Sequence, residues 1–262
     1  MQKIYVFIFL WIVSTSLHAA GIVGSGLMVA PTKLIFKEGE ATSSSLTLIN
    51  KGKKPATYRI RAIYKKMDTN GSFTEIDAKN AQNSLARKLR FSPRQVTIQP
   101  GQSQKVRVTL RSTGVLKGQE YSTRMLFTAI PLVEEKPSKE VPQDKNKFSI
   151  KLTALFGVSI PVLYWPEGIQ SKVTYNNVRS KIIDDTLKVS FDMQLIGNKS
   201  SYQNVDIRWQ NPDGKILDVG SVKGLYFYYP QTERHVTLTF KETSLNPKGK
   251  VLVSMTEKPD EM

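Results

Sequence analysis

The chain has 262 residues, of which 40% are hydrophobic, so it is long enough to bury one large core or two ordinary ones and too apolar for wholesale disorder. It contains no cysteine, which excludes disulfides, thiol catalysis and cysteine-rich metal sites. The net charge of +16 is consistent with an acidic protein partner, nucleic acid or an anionic membrane surface, although the charges are spread rather than gathered in blocks. Lys105, Arg107 and Arg111 alternate with apolar residues, which is typical of the solvated face of one strand.

Residues 1–20 have the layout of a secretory signal peptide. Lys3 gives a positive start, an apolar run follows over 4–13, and small residues end at Ala19 and Ala20. An uncleaved membrane anchor needs about 20 apolar residues, and this run is shorter. We therefore expect cleavage near Ala20 and a mature protein without membrane insertion. Nucleic acid is not an expected partner of an exported protein.

Apolar and polar residues alternate with a period of two over most of the chain up to residue 130. The pattern predicts strands at 45–49, 57–64, 96–98, 105–111 and 121–130. Asp68-Thr69-Asn70-Gly71 predicts a hairpin turn, because Asn-Gly tolerates the positive φ of a tight turn. Residues 78–90 are expected to hold a short helical turn. The charged, proline-containing segment 133–147 predicts an exposed loop.

The longest alternation begins at Phe148 and reaches Ile160. Trp165-Pro166-Glu167-Gly168 then interrupts the pattern and predicts a boundary between a domain at 21–165 and a domain at 166–262. The second half repeats the alternation and predicts strands at 187–195, 205–209, 236–240 and 251–255. Short strands in two halves of sandwich size indicate an all-β fold of two tandem immunoglobulin-like β-sandwich domains.

Four segments resemble the PapD-like family of periplasmic pilus-assembly chaperones. Residues 118–131 resemble the family motif that ends in Ile-Pro, although Tyr121 and Leu126 replace its usual Ser and Asn. Residues 98–107 resemble the family's Pro-Gly turn and next strand. Residues 160–166 resemble the end of its seventh strand, and residues 46–50 resemble its second. The match covers most of residues 26–166 and continues more weakly to the C-terminus.

The resemblance implies a periplasmic chaperone that caps pilus-like subunits and delivers them to an outer-membrane usher. Such chaperones lend their seventh strand to a subunit that lacks one strand, which is donor-strand complementation. Alternation alone also allows this strand to pack only the chain's own core. Exposed donor strands can pair with each other, so a self-capped homodimer stays open as well. The donor-strand residues at the matching positions are Phe148, Ile150, Leu152, Ala154 and Phe156.

The usual carboxylate anchor of the family is absent from this sequence. Typical members grip the C-terminal carboxylate of the subunit with an Arg in the first strand and a Lys near the end of the seventh. Pro31 and Pro161 occupy those positions, and proline has neither a charge nor a backbone donor. We therefore expect a divergent branch with a relocated anchor. The candidates are Arg94, which ranks first, Lys33 and Arg124.

No catalytic residue, cofactor or metal ligand set is indicated, and we expect a protein that is not an enzyme. His235 is the only histidine beyond the signal segment, and nothing marks Ser and Asp partners or further metal ligands for it. The aromatic run 226–229 supports an alternative function, a secreted adhesin or carbohydrate-binding β-sandwich protein, because clustered aromatic rings can stack on sugars. On a strand, alternate members of the run would instead enter the core.

Overall fold

A computed structural model describes residues 22–24, 26–111, 113–131, 156–241 and 245–258. Within these ranges, the regular elements are strands apart from two short 3-10 turns, Ala78–Asn80 and Thr113–Val115. None of the helical segments described is long and apolar enough to cross a membrane. The expected signal peptide at 1–20 and the expected loop at 133–147 lie outside the described residues.

The first eleven strands form two sheets. In chain order they are β1 (Ile22–Gly24), β2 (Leu27–Ala30), β3 (Leu34–Lys37), β4 (Ser43–Asn50), β5 (Ala56–Met67), β6 (Phe73–Ile76), β7 (Leu89–Ser92), β8 (Gln95–Ile98), β9 (Ser103–Leu110), β10 (Tyr121–Ile130) and β11 (Gly157–Trp165). One sheet has the order β1-β2-β4-β9-β7, and the other has the order β3-β11-β10-β5-β6 with β8 beside β5.

A single apolar core lies between these two sheets. Val106 and Val108 of β9 are fully buried, and so are Met125 and Phe127 of β10 and Ile160 of β11. The intervening residues face solvent, as the period-two pattern predicts for strands with one buried face. The predicted strands at 45–49, 57–64, 96–98, 105–111 and 121–130 are confirmed, and so is the hairpin turn at 68–71 between β5 and β6.

Six further strands form a second sandwich. They are β12 (Ser171–Ile183), β13 (Thr186–Gly197), β14 (Ser201–Gln210), β15 (Ile216–Phe227), β16 (Glu233–Lys241) and β17 (Lys250–Glu257). One sheet has the order β12-β13-β16 and the other the order β15-β14-β17, with a separate apolar core between them. The protein is therefore an all-β chain of two immunoglobulin-like β-sandwich domains, as the sequence predicts.

Two strands of the second sandwich were not predicted. β12 is almost entirely solvent-exposed, and its pairing register with β13 shifts between Asn176 and Arg179, which breaks the alternation. β15 pairs with β14 through two register shifts and carries only partly buried side chains until Phe227. The helical turn expected within 78–90 is reduced to one 3-10 turn, Ala78–Asn80.

Candidate functional site

The strand β11 has two differently paired halves. From Val162 to Tyr164 it pairs with β10 on one edge and with β3, in parallel, on the other, and Trp165 pairs with β3 alone. From Gly157 to Pro161 it pairs with β10 alone, so within the described part of the chain its second edge has no strand partner. Unpaired backbone N–H and C=O groups along such an edge are a template for an additional strand.

The apolar face of β11 leaves the core of its own sandwich at the start of the strand. Ile160 is 0% exposed and Val158 is 5% exposed, whereas Phe156, two residues earlier, is 61% exposed. The backbone of Phe156 still belongs to the sheet, because its carbonyl accepts a hydrogen bond of 3.2 Å from the amide of Ala129. Among the predicted donor residues, Phe156 is described, whereas Phe148, Ile150, Leu152 and Ala154 lie outside the described residues.

The other end of β11 joins the two sandwiches through a buried carboxylate. Glu120 is fully buried, and one of its oxygens accepts hydrogen bonds from the indole N–H of Trp165, at 2.8 Å, and from the amide of Ser200, at 3.0 Å. Its other oxygen accepts from the hydroxyl of Ser200. Burial raises the pKa of Glu120 to about 7, while these hydrogen bonds and the nearby charge of Lys199 lower it.

Further contacts surround this carboxylate. The ammonium group of Lys199 lies 4.1 Å from the centre of the Trp165 ring. The amide of Asn198 donates to the carbonyl of Gly118, at 2.8 Å, and the hydroxyl of Tyr229 donates to the side chain of Gln119, at 2.7 Å. Residues 118–120 of the first sandwich are therefore tied to the turn before β14 and to the end of β15.

The tip of the β5–β6 hairpin makes a second contact between the sandwiches. The amide of His235 in β16 donates to the carbonyl of Thr69, at 2.6 Å. Gly71 has a φ of +81°, and a Cβ atom placed there would lie only 2.7 Å from the guanidinium of Arg234. The turn therefore needs glycine for its backbone conformation, and its tip approaches the side chain of Arg234 closely.

Arg124 stands in the cleft between the two sandwiches. It lies opposite Pro161 in the register of β10 and β11. Its guanidinium carbon is 4.4 Å from the ring centre of Phe73 and 5.1 Å from that of Tyr228, so one ring comes from each sandwich. Two aromatic contacts of this kind hold the guanidinium plane in place.

The other two anchor candidates lie in different surroundings. The ammonium group of Lys33 is 4.7 Å from the ring centre of Tyr202, which belongs to the second sandwich. Arg94 is exposed, and its guanidinium carbon lies 5.4 Å from the ring centre of Phe91 in its own sandwich. Arg124 and Lys33 therefore contact residues of both sandwiches, and the described contacts of Arg94 are within one.

The aromatic run 226–229 forms part of the cleft wall. The rings of Tyr226 and Tyr228 are stacked with their centres 4.4 Å apart, and Phe73 meets Tyr228 edge to face at 5.3 Å. Phe227 is fully buried in the second core. Most of the ring surface that a sugar would need is thus occupied by neighbouring protein groups.

His235 forms an exposed pair with an acid. Its Nδ1 atom lies 2.6 Å from the carboxylate of Asp192, which also accepts a hydrogen bond of 2.8 Å from the amide of Asn177. The hydrogen bond from His235, and then that from Asn177, lower the pKa of Asp192. Within the ranges that the structure covers, no group of three or more His, Asp or Glu side chains is arranged to hold a metal ion.

The sequence patterns did not indicate the importance of Trp165 and Ser200. Trp165 enters the sequence patterns only as part of the domain boundary and of the segment that resembles the seventh strand, and Ser200 enters them only as part of a turn at 198–200. A usable indication was present in Glu120, because an acidic residue inside a predicted apolar motif needs hydrogen-bond donors if it is buried.

Comparison with known proteins agrees with this architecture. A family model described as the pili and flagellar-assembly chaperone, PapD N-terminal domain, matches residues 26–170. No curated protein matches the chain.

Several solved structures are similar to the chain. The YadV chaperone is 15% identical with a TM-score of 0.46, over 90% of this chain and 94% of that one. The class 5 fimbriae chaperone CfaA is 15% identical with a TM-score of 0.42, also over 90% and 94%. The CsuC–CsuE chaperone–tip adhesion subunit complex of Acinetobacter baumannii is matched at 15% identity and a TM-score of 0.41, over 80% and 89%. At these values the likenesses carry no argument about function.

Proposed function

This chain belongs to the pili and flagellar-assembly chaperone family, and on that premise we propose that it caps pilus-like subunits by lending them β11 and the residues before it. The observation that carries the proposal is the exposure of Phe156 beside a strand edge that has no strand partner among the described residues. The strand keeps one edge in its own sheet through β10, so its second edge is available to a subunit that lacks a strand.

The side chains before Phe156 supply the apolar contact. If the strand continues without interruption before Phe156, residues two apart would lie on the same face, so Phe148, Ile150, Leu152 and Ala154 would share the face of Phe156. Burying the four large members in a subunit groove would contribute roughly 6–12 kcal/mol gross, before the cost of ordering both chains.

Arg124 is our leading candidate for the carboxylate anchor. It lies opposite Pro161, the position at which the family resemblance expects a lysine, and Phe73 and Tyr228 hold its guanidinium in the cleft. An oriented guanidinium can bind a carboxylate through two parallel hydrogen bonds. Lys33 is second because it also stands between the sandwiches. Arg94, which ranks first on the sequence alone, is third because its contacts are on one sandwich.

The remaining assignments follow from the family. We place the mature protein in the periplasm after removal of residues 1–20, with domains at 21–165 and 166–262 and an outer-membrane usher as the recipient of the subunit. A homodimer in which two copies pair their donor strands is the resting state we would test first. No catalytic role is proposed.

The decisive experiment co-exports this chain with a strand-deficient subunit from a neighbouring reading frame and measures recovery of the purified complex. The double change Ile150→Asp and Leu152→Asp should abolish the complex while circular dichroism stays unchanged, because two charges would enter the apolar groove of the subunit. The matched control is Ser149→Asp with Thr153→Asp, which places the same charges on the opposite face of the strand. Equal loss in both variants would refute the donor-strand assignment.

The anchor is tested in the same assay. Arg124→Gln should weaken the complex by at least tenfold, since a charge-assisted pair contributes roughly 1.5–3 kcal/mol. Arg94→Gln is the control, because it removes the same charge outside the cleft. A larger loss with Arg94→Gln than with Arg124→Gln would reverse the ranking and restore the assignment made from the sequence.

A further inference from the structure

One outer face of the first sandwich is strongly basic. The buried side chains of β2, β4, β9 and β7 in the sheet β1-β2-β4-β9-β7 lie in the core, and none of the five described strands contains Asp or Glu. In β9 and just beyond it, Lys105, Arg107 and Arg111 are exposed, whereas the alternate residues are buried. The charges noted in the sequence thus share one solvent face.

Neighbouring strands add to this face. Arg90 of β7 pairs with Thr109 of β9, and Arg107 lies between Ser92 of β7 and Ser45 of β4. The loop before β7 contributes two further cations at the same end of the sheet, where the amide of residue 111 donates to the carbonyl of residue 88. We define the basic face as Arg87, Lys88, Arg90, Lys105, Arg107 and Arg111.

The basic face contains two shallow depressions with related chemistry. One is lined by Arg87, Lys88, Arg90 and Arg111 together with Ser84. The other is lined by Lys105 and Arg107 together with four serines, one of which, Ser43, accepts a hydrogen bond of 3.1 Å from the Nε of Arg107. Cations beside hydroxyl donors are suited to the two unesterified oxygens of a phosphate diester.

These cations have no acidic partner in the described part of the protein. The ion pairs described there join Lys37 to Glu40 and His235 to Asp192, neither of which lies on the basic face. Unneutralised like charges on one face repel each other, so the arrangement becomes favourable when an anionic surface neutralises it.

We propose that the basic face binds peripherally to an anionic lipid surface through the phosphates of its headgroups. The cations share one face of a single sheet and its edge, so they can approach one layer of headgroups together. The residues that alternate with them in β9 are buried, so the contact is electrostatic and involves no insertion into the hydrocarbon.

Membrane contact of this kind leaves the subunit site accessible. The basic face points away from the other sheet of the sandwich, which contains β11. The same molecule can therefore rest on a membrane and hold a subunit. The proposal does not depend on donor-strand complementation, because lipid binding requires neither a subunit nor residues 148–156.

The test is sedimentation of the full chain with vesicles of phosphatidylglycerol and phosphatidylcholine, with pure phosphatidylcholine vesicles as the reference. We expect binding to the anionic vesicles that weakens steeply with added salt. The variant Arg87→Gln, Lys88→Gln, Arg90→Gln and Arg111→Gln should reduce partitioning on the order of 1,000-fold, since each of the four cations near an anionic surface contributes about 1 kcal/mol.

A matched control removes the same charge elsewhere. Lys172→Gln, Arg179→Gln, Lys181→Gln and Lys188→Gln change four exposed cations of the second sandwich. Partitioning of this variant to anionic vesicles should fall less than about fivefold, because charges farther from the vesicle than a Debye length of about 8 Å are screened at 0.15 M salt. Equal loss in the two variants would overturn the proposal and assign the binding to net charge alone.

A third arm separates lipid from acidic protein. If poly-L-glutamate binds the wild type with the same sensitivity to the four changes, while anionic vesicles do not bind, the face serves an acidic polypeptide and the lipid proposal fails. Circular dichroism and subunit capping should be unchanged in the basic-face variant. If this variant lost capping of the subunit but kept vesicle binding, the lipid proposal would be refuted and the basic face would instead belong to the subunit-binding site.

Discussion

From Val162 to Tyr164, β11 has a strand partner on each edge, whereas from Gly157 to Pro161 the described structure pairs only one of its edges. The part that begins at Val162 is buried on both faces, and the part that begins at Gly157 follows the exposed Phe156. One continuous strand thus serves its own sandwich at one end and exposes a bonding edge at the other. A donor strand needs both, because it must be held firmly while it is offered to a partner.

The largest expected effect lies inside the core. Ile160→Ala should lower the free energy of unfolding by about 2–5 kcal/mol, because the removed side chain is fully buried against both sheets. Urea denaturation measures it. A cost below about 1 kcal/mol would mean that Ile160 is not fixed in the core of its own sandwich.

The buried carboxylate at the end of β11 should make stability depend on pH. The pKa of Glu120 is raised from 4.5 to about 7, so between these values the unfolded chain has released the proton that the folded chain retains. Stability should therefore fall by roughly 3 kcal/mol as the pH rises through this window and then level off.

Glu120→Gln is the control for that measurement. The amide keeps the shape and an acceptor oxygen for Trp165 and Ser200 but does not ionise. Urea denaturation from pH 4.5 to pH 8 should show a flatter profile in this variant. An identical slope in both proteins would assign the pH dependence to other groups.

Trp165→Phe should have a smaller effect at the same junction. It removes the indole donor to Glu120 and should cost about 1–3 kcal/mol at pH 8, where the carboxylate is charged. Because that hydrogen bond lowers the carboxyl pKa, the pH window of the stability loss should also move upward. A stability profile with an unchanged midpoint would contradict the contact.

The smallest effect is expected at the free half of the strand. Phe156→Ser should change the free energy of unfolding by less than about 0.5 kcal/mol, because the side chain is 61% exposed. The same change should weaken capture of a subunit. The reverse result, a destabilised chain with unchanged capture, would remove the distinction between the two halves.

The period-two pattern was sufficient to predict most strands, since it follows directly from alternate burial in a sheet. It failed for β12, where few side chains are buried and a register shift interrupts the alternation. The sequence could not predict which strands pair. Among the described residues, the edge of β11 at Gly157–Pro161 has no strand partner because β3 is short and pairs only from Val162 onward. The sequence could not rank Arg124 above the other two candidate anchors, because its contacts with Phe73 and Tyr228 depend on the placement of the two sandwiches.

The hairpin between β5 and β6 has a mechanical consequence. Its tip at Thr69 and Gly71 reaches β16, while Glu120 reaches Ser200 from a different part of the same sandwich. With one contact the two sandwiches could rotate about it in any direction, whereas two separate contacts restrict the rotation to the line that joins them. The width of the cleft between the two sandwiches is therefore restricted before a subunit binds, and less conformational entropy is lost on binding.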